Sequence, residues 1–152
     1  MKKRLVACVM LCLPLGALAA EPYSALFKTQ GTFEAVRDSV QSAIEGKGLK
    51  INHTNLIAEM LELTGKDLGA TKQVYTHGEQ FEFCSAAISR AMMEADPHAI
   101  VMCPYIVSVY TIPGDKNVYV AYRKPAATKN PALKKSLAEV EKLLTEIIKD
   151  AL

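Results

Sequence analysis

Residues 100–123 read IVMCPYIVSVYTIPGDKNVYVAYR, and this stretch decides the fold. Residues 100–112 are apolar on both faces, which predicts a central strand. Pro104 cannot donate a hydrogen bond to a neighbouring strand, so we expect a bulge or an unpaired position there. Residues 113–117 (PGDKN) are typical of a turn. Residues 118–123 then alternate between apolar and other side chains, which predicts the second strand of a β-hairpin.

Helical and extended segments alternate on either side of this hairpin. Apolar side chains recur three or four residues apart in four segments, which predicts four helices with one buried face each. The expected N-caps are Thr32, Asn55, Ser85 and Asn130. The last helix is the longest, and Pro131 suits its first position. The order predicts a small α+β domain, with helices covering a mixed, largely antiparallel sheet and a long C-terminal helix.

The N-terminal residues have the layout of an export signal. Lys2, Lys3 and Arg4 precede an apolar run over residues 5–18, and residues 17–20 (ALAA) are small, as at a signal peptidase site. The apolar run is shorter than the ~20 residues that span a membrane. We therefore expect residues 1–20 to be a cleaved signal peptide and residues 21–152 to be one periplasmic or secreted domain without a membrane span.

The charge of the mature chain argues against a nucleic-acid partner. Removing the signal lowers the number of basic residues from 18 to 15, against 16 acidic residues. No block of lysine and arginine stands out, so no basic surface is predicted. The sequence also contains neither a glycine-rich phosphate loop nor Gly-x-Ser-x-Gly. We favour a binding or interaction role over an enzymatic one.

Two of the four cysteines remain after signal cleavage, Cys84 and Cys103. An oxidising compartment favours a disulfide between them. The alternative without a specific function is two unbonded thiols that are buried like small apolar side chains. Cys84 also precedes a predicted helix, whose dipole would lower the pKa of the thiol and favour a redox nucleophile. The usual Cys-x-x-Cys motif is absent. The sequence leaves these alternatives open.

A ligand or cofactor near the cysteines is a further hypothesis. The candidate ligand-binding residues are Cys84, Cys103 and Tyr105. The dipeptide at 103–104 (CP) occurs in some thiolate haem sites, and thiolate, thioether and imidazole groups suit haem iron or a soft transition metal. The candidate metal ligands are Cys103, Met102 and His77.

Four tyrosines fall on the two strands of the predicted hairpin. They are Tyr105, Tyr110, Tyr119 and Tyr122. Such a cluster could line a ligand pocket, but cross-strand packing is the reading that we favour.

Three motifs carry a resemblance to a known family. Residues 32–36 (TFEAV) open a helix after the first strand, residues 83–88 (FCSAAI) lead into a helix that ends near 93–97 (MEADP), and residues 103–110 (CPYIVSVY) begin an apolar strand. In this order and spacing the chain resembles the domain-of-unknown-function 302 family. The resemblance implies a small α+β domain that often pairs as a homodimer, and it implies no established reaction.

The chain departs from that family at both cysteines. Residues 85–86 (SA) stand where the family has Asn-Pro after the first cysteine. Tyr105 occupies the position of the family's second cysteine, and Cys103 lies two residues earlier. Side chains two apart on a strand share a face but are displaced by ~6.6 Å. The geometry of an inherited cysteine site is therefore not transferable to this chain.

Overall fold

A computed structural model describes residues 23–152 of the chain. The predicted signal peptide, residues 1–20, lies outside the described residues together with Cys8 and Cys12. The strands are β1 Ser24–Thr29, β2 Ile51–Asn55, β3 His77–Phe83, β4 Tyr105–Thr111 and β5 Val118–Arg123. The α-helices are α1 Phe33–Gly46, α2 Ile57–Gly65, α3 Ala86–Ala95 and α4 Pro131–Ala151, and a 3-10 helix spans Pro97–Met102.

The hairpin forms the middle of one antiparallel sheet. The strand order is β1-β5-β4-β3-β2, and Val109 of β4 lies opposite Val120 of β5. Alternate residues of the three central strands point to one face, where α4 packs between α1 and α3. Phe81, Val107, Val109 and Val120 are almost fully buried there. The predicted α+β class with a long C-terminal helix is therefore confirmed, and the sheet is wholly antiparallel.

The capping predictions are confirmed at three of four helices. The side chains of Thr32, Ser85 and Asn130 accept backbone N–H groups at the starts of α1, α3 and α4. The prediction for α2 is wrong. Asn55 ends β2, where its side-chain amide donates to Glu82 at 2.6 Å, and Leu56 takes the N-cap position without a side-chain hydrogen bond.

The long strand predicted over residues 100–112 is wrong in its first part. Asp96 caps a 3-10 helix by accepting the N–H of His98 at 2.9 Å, and Pro97 opens it. This local capping outweighs the preference of the apolar side chains for an extended strand. As a result, the side chain of Val101 is 81% exposed. The strand begins at Tyr105, so Pro104 lies just before the ladder and its missing N–H costs no strand hydrogen bond.

Helix α2 differs from the other helices because none of its residues is buried. It lies beside β3. The Cβ of Ala58 is about 3.5 Å from the position that a Cβ atom would occupy on Gly78. Met60 and Leu63 remain 47% and 68% exposed. Within residues 23–152, the helices are too short or too polar to cross a membrane.

Candidate functional site

The structure brings Cys84 and Cys103 to disulfide-bonding distance, with their Cα atoms 6.2 Å apart. Cys84 follows the last residue of β3, and Cys103 lies two residues before β4. Because Phe83 pairs with Tyr105 in the sheet, the ends of these two strands meet. Both cysteines are half-buried. The sequence predicted two thiols of interest, and the antiparallel pairing of β3 with β4 is what places them together.

Two polar side chains lie on the core side of this pair of cysteines. The Ser89 hydroxyl is 3.1 Å from the phenolic oxygen of Tyr105 and 3.8 Å from the sulfur of Cys103. Tyr105 is buried, and its ring meets that of Phe83 edge-on, with centroids 6.1 Å apart. Ser89 was not expected from the sequence, although it lies one helical turn after the cap Ser85. Its position on the inner face of α3 is the signal that could have found it.

Burial raises the pKa of the Tyr105 phenol above its ordinary 10.0, and the hydrogen bond with Ser89 partly opposes this. The folded state therefore favours the neutral phenol. A group whose pKa is higher in the folded state than in the unfolded state contributes its full stabilisation at pH values below the unfolded-state pKa. This contribution is lost as the pH rises through the folded-state pKa. Tyr105 makes the domain less stable above about pH 10.

Tyr105→Phe tests this assignment. At neutral pH the substitution should lower the free energy of unfolding by about 1 kcal/mol, because Ser89 loses its best partner. Above the ordinary pKa of tyrosine it should reduce the alkaline loss of stability, since one late-ionising phenol is gone. Urea unfolding at neutral and alkaline pH measures both effects. Tyr23→Phe is the matched control, because the Tyr23 side chain is 66% exposed; an equal change in both variants would contradict the assignment.

The predicted metal ligands are not brought together. Met102 is next to Cys103 at one end of the sheet, and Phe83 pairs there with Tyr105. His77 pairs with Thr111 at the other end of β3, six residues or ~20 Å away. There its ring stacks on Phe33, with centroids 4.9 Å apart. Among residues 23–152, no three His, Cys, Asp or Glu side chains form a group that could hold a metal ion.

The cavity beside Tyr105, one of the three candidate ligand residues, is small. Pro104 and Tyr105 line a cavity of about 60 Å³, which has room for about two water molecules. Pockets for small ligands usually measure ~300–1,000 Å³. The arrangement at Cys84, Cys103 and Tyr105 therefore offers a crosslink and a buried hydroxyl pair, but this cavity does not hold a group the size of haem.

The four hairpin tyrosines lie on opposite faces of the sheet. Tyr105 and Tyr122 are buried under the helices, and the phenolic oxygen of Tyr122 is 2.8 Å from the hydroxyl of Thr145. Tyr110 and Tyr119 stack on the other face, with centroids 5.3 Å apart. Packing across strands is thus observed on both faces, and the four rings do not share one face of the sheet.

Comparison with known proteins gives a family without a described activity. The chain is similar to an uncharacterized conserved DUF302 protein from Bacillus stearothermophilus, with a TM-score of 0.72 and 15% sequence identity. The alignment covers 87% of this chain and 100% of that chain, and it shows a shared fold. No curated protein matches the chain. The family model described as "Domain of unknown function DUF302" matches residues 27–151. The chain therefore belongs to the DUF302 family.

Proposed function

We propose that this chain is an exported, homodimeric interaction protein in which Cys84 and Cys103 form a structural disulfide. The observation that carries the proposal is the 6.2 Å separation of the two Cα atoms, at the point where β3 ends and β4 begins. Cys84 lies in the connection from β3 to α3, and Cys103 lies in the connection from the 3-10 helix to β4. A bond between them would hold α3 and the 3-10 helix against the sheet.

The compartment supports this reading. Residues 1–20 have the charged, apolar and small-residue segments of an export signal, and structural disulfides persist in oxidising compartments. The cavity beside Tyr105 supports it as well, because its volume of about 60 Å³ leaves little room for a ligand or a haem. A ligand at Cys84, Cys103 and Tyr105 is for this reason left out of the proposal.

Intact-mass analysis without reductant tests both the export of the protein and the disulfide between Cys84 and Cys103. Expressed with its own N-terminus in a secreting bacterium, the protein should begin at Ala20 or Glu21. Its mass should be lower by two hydrogens than that of the reduced chain, and thiol alkylation should label neither cysteine. The control is the same sample alkylated after reduction, which should gain two labels. Two labels without reduction would overturn the structural disulfide, and an unprocessed N-terminus would overturn export.

Thiol–disulfide exchange is the second candidate, and the position of Cys84 favours it. Cys84 is half-buried and directly precedes Ser85, the N-cap of α3, where the helix dipole stabilises a thiolate. In the reduced protein, the Cys84 thiolate would attack a disulfide substrate and release one substrate thiolate. Cys103 would then displace the second thiol as the 84–103 bond forms, so that two electrons pass to the substrate.

Equilibration with a glutathione redox buffer separates the two candidates. A structural bond should stay intact while glutathione is mostly reduced, because such disulfides resist the glutathione pool. An exchange protein should become reduced in the same buffer and should form a mixed disulfide at Cys84 in the Cys103→Ala variant. A mixed disulfide formed equally well at Cys103 in the Cys84→Ala variant would remove the special role given to Cys84.

A further inference from the structure

The 3-10 helix Pro97–Met102 presents two aliphatic side chains to solvent. Ala99 is buried and Met102 is half-buried, because residues three apart share one side of a 3-10 helix. The two positions between them point outward, and Ile100 is 61% and Val101 is 81% exposed. These two neighbours form an apolar projection, here called the aliphatic tip.

Basic residues lie at both ends of this 3-10 helix. Arg123 is exposed and lines the same small cavity as Val101. At the other end, the side-chain amide of Asn130 donates to the carbonyl oxygen of Ala95 at 3.0 Å, just before the 3-10 helix begins. This hydrogen bond places the exposed Lys129 beside the start of the helix. The aliphatic tip therefore lies between two basic residues.

The surroundings of the tip have an excess of positive charge. Residues 116–138 contain six basic residues and no acidic one. Five of the six lie where β5 leads into α4, and within residues 23–152 none of these five forms an ion pair. They are Arg123, Lys124, Lys129, Lys134 and Lys135. In the sequence they occur singly or in pairs, and the connection from β5 to α4 gathers them at one end of the domain.

Three acidic side chains at this end of the sheet have partners of their own. Glu94 pairs with Arg90 at 2.8 Å, and Asp96 accepts a backbone N–H of the 3-10 helix that it caps. Glu82 accepts a hydrogen bond from Asn55. The first turn of α4 holds no acidic residue, so the positive end of its dipole is not offset there. The aliphatic tip is thus an apolar projection in a basic surrounding.

We propose that the aliphatic tip docks on the surface of a bilayer that contains anionic phospholipids. Ile100 and Val101 enter the headgroup layer, while Arg123 and Lys129 lie against lipid phosphates. Peripheral membrane binding combines these two contributions, the burial of apolar side chains and the attraction of basic residues to anionic lipids. A headgroup layer can also yield to a projecting side chain, whereas a protein partner would need a cavity of matching shape.

The size of the tip determines how strong the binding should be. Two aliphatic side chains bury little area, and each basic residue near an anionic surface strengthens binding by about fivefold. We therefore expect reversible binding that increases with the fraction of anionic lipid and falls with added salt, which screens the charges. The inference rests on the proposed export, which brings the protein to a membrane surface, and gives the proposed interaction role a partner.

Tryptophan fluorescence tests the insertion of the tip, because the chain contains no tryptophan of its own. In the mature protein, the emission of Val101→Trp should shift to shorter wavelength with vesicles of phosphatidylcholine and phosphatidylglycerol. Vesicles of phosphatidylcholine alone should cause little shift. Leu68→Trp is the matched control, because Leu68 is also 81% exposed, and its emission should not change. An equal shift in both variants would show that another surface meets the membrane and would overturn the inference.

Co-sedimentation with the same vesicles tests the contribution of the basic residues. Arg123→Gln/Lys129→Gln should weaken binding to the anionic vesicles by about 25-fold, or about fivefold for each residue. Lys66→Gln/Lys116→Gln is the control, since it removes the same net charge at exposed positions after α2 and in the β4–β5 turn. It should leave binding nearly unchanged. Equal losses in the two double variants would indicate attraction by net charge alone and would contradict a specific docking surface.

The wild type provides two further outcomes that overturn the inference. A protein that sediments with neither kind of vesicle leaves the tip to a protein partner. A protein that binds both kinds equally well does not use its basic residues. Circular dichroism of each variant checks the fold. Intact mass verifies the processed N-terminus and the state of the cysteines beforehand, so that failed export, a missing disulfide and absent membrane binding remain distinguishable.

Discussion

Replacing Phe83 by alanine should lower the free energy of unfolding by about 3–5 kcal/mol, the range for deleting a buried aromatic side chain. Phe83 has no exposed surface and packs edge-on against Tyr105. It also lies opposite Ile51 in the sheet, so its removal opens a cavity between three strands. Since small domains unfold at a cost of about 5–15 kcal/mol, this is a large share of the stability.

Urea unfolding of the oxidised protein measures the effect of Phe83→Ala. The midpoint should fall while the slope with denaturant stays unchanged, because the surface exposed on unfolding is nearly the same. Leu68→Ala is the control. The Leu68 side chain is 81% exposed in the segment after α2, so its loss should change stability by less than about 0.5 kcal/mol. A comparably small change for Phe83→Ala would contradict the packing at this end of the sheet.

Removing the proposed disulfide should have the second largest effect. The two cysteines are separated by 19 residues, and closing a loop of this size stabilises a domain by about 3 kcal/mol through the reduced entropy of the unfolded chain. The double variant Cys84→Ala/Cys103→Ala should lose this amount under oxidising conditions. Urea unfolding with and without reductant gives the measurement, and reductant should bring the wild type close to the variant.

The single cysteine variants provide the control for this prediction. Cys84→Ala and Cys103→Ala each break the same bond, so each should cost about as much as the double variant, rather than half of it. Stability losses that add between the two single variants would indicate two independently packed thiols. In that case the wild type should also be insensitive to reductant.

Much of the fold could be predicted from local patterns. The turn at residues 113–117 and the alternating apolar side chains after it predicted the hairpin that lies in the middle of the sheet. Asn130 and Pro131 predicted the start of α4, where the asparagine side chain accepts the N–H groups of Ala132 and Leu133. These features depend on side chains a few residues apart, so the sequence alone contains their physical cause.

The errors have a common origin in competition between local signals and the surroundings. Apolar residues 100–102 predicted a strand, but the cap at Asp96 starts a 3-10 helix over them. The apolar positions of α2 predicted a buried face, yet this helix lies beside β3 outside the helix layer and stays exposed. Periodicity reports which residues could be buried together, and only the available neighbours determine whether they are.

The sequence by itself determined the class of the domain, the starts of three of its four α-helices and the two cysteines that remain after the predicted cleavage. Tertiary structure alone decided which side chains meet. It brought Cys84 within reach of Cys103 and separated His77 from Met102. The reason is that capping and periodicity act over a few residues, whereas each of these contacts depends on the register of strands that are far apart in the chain.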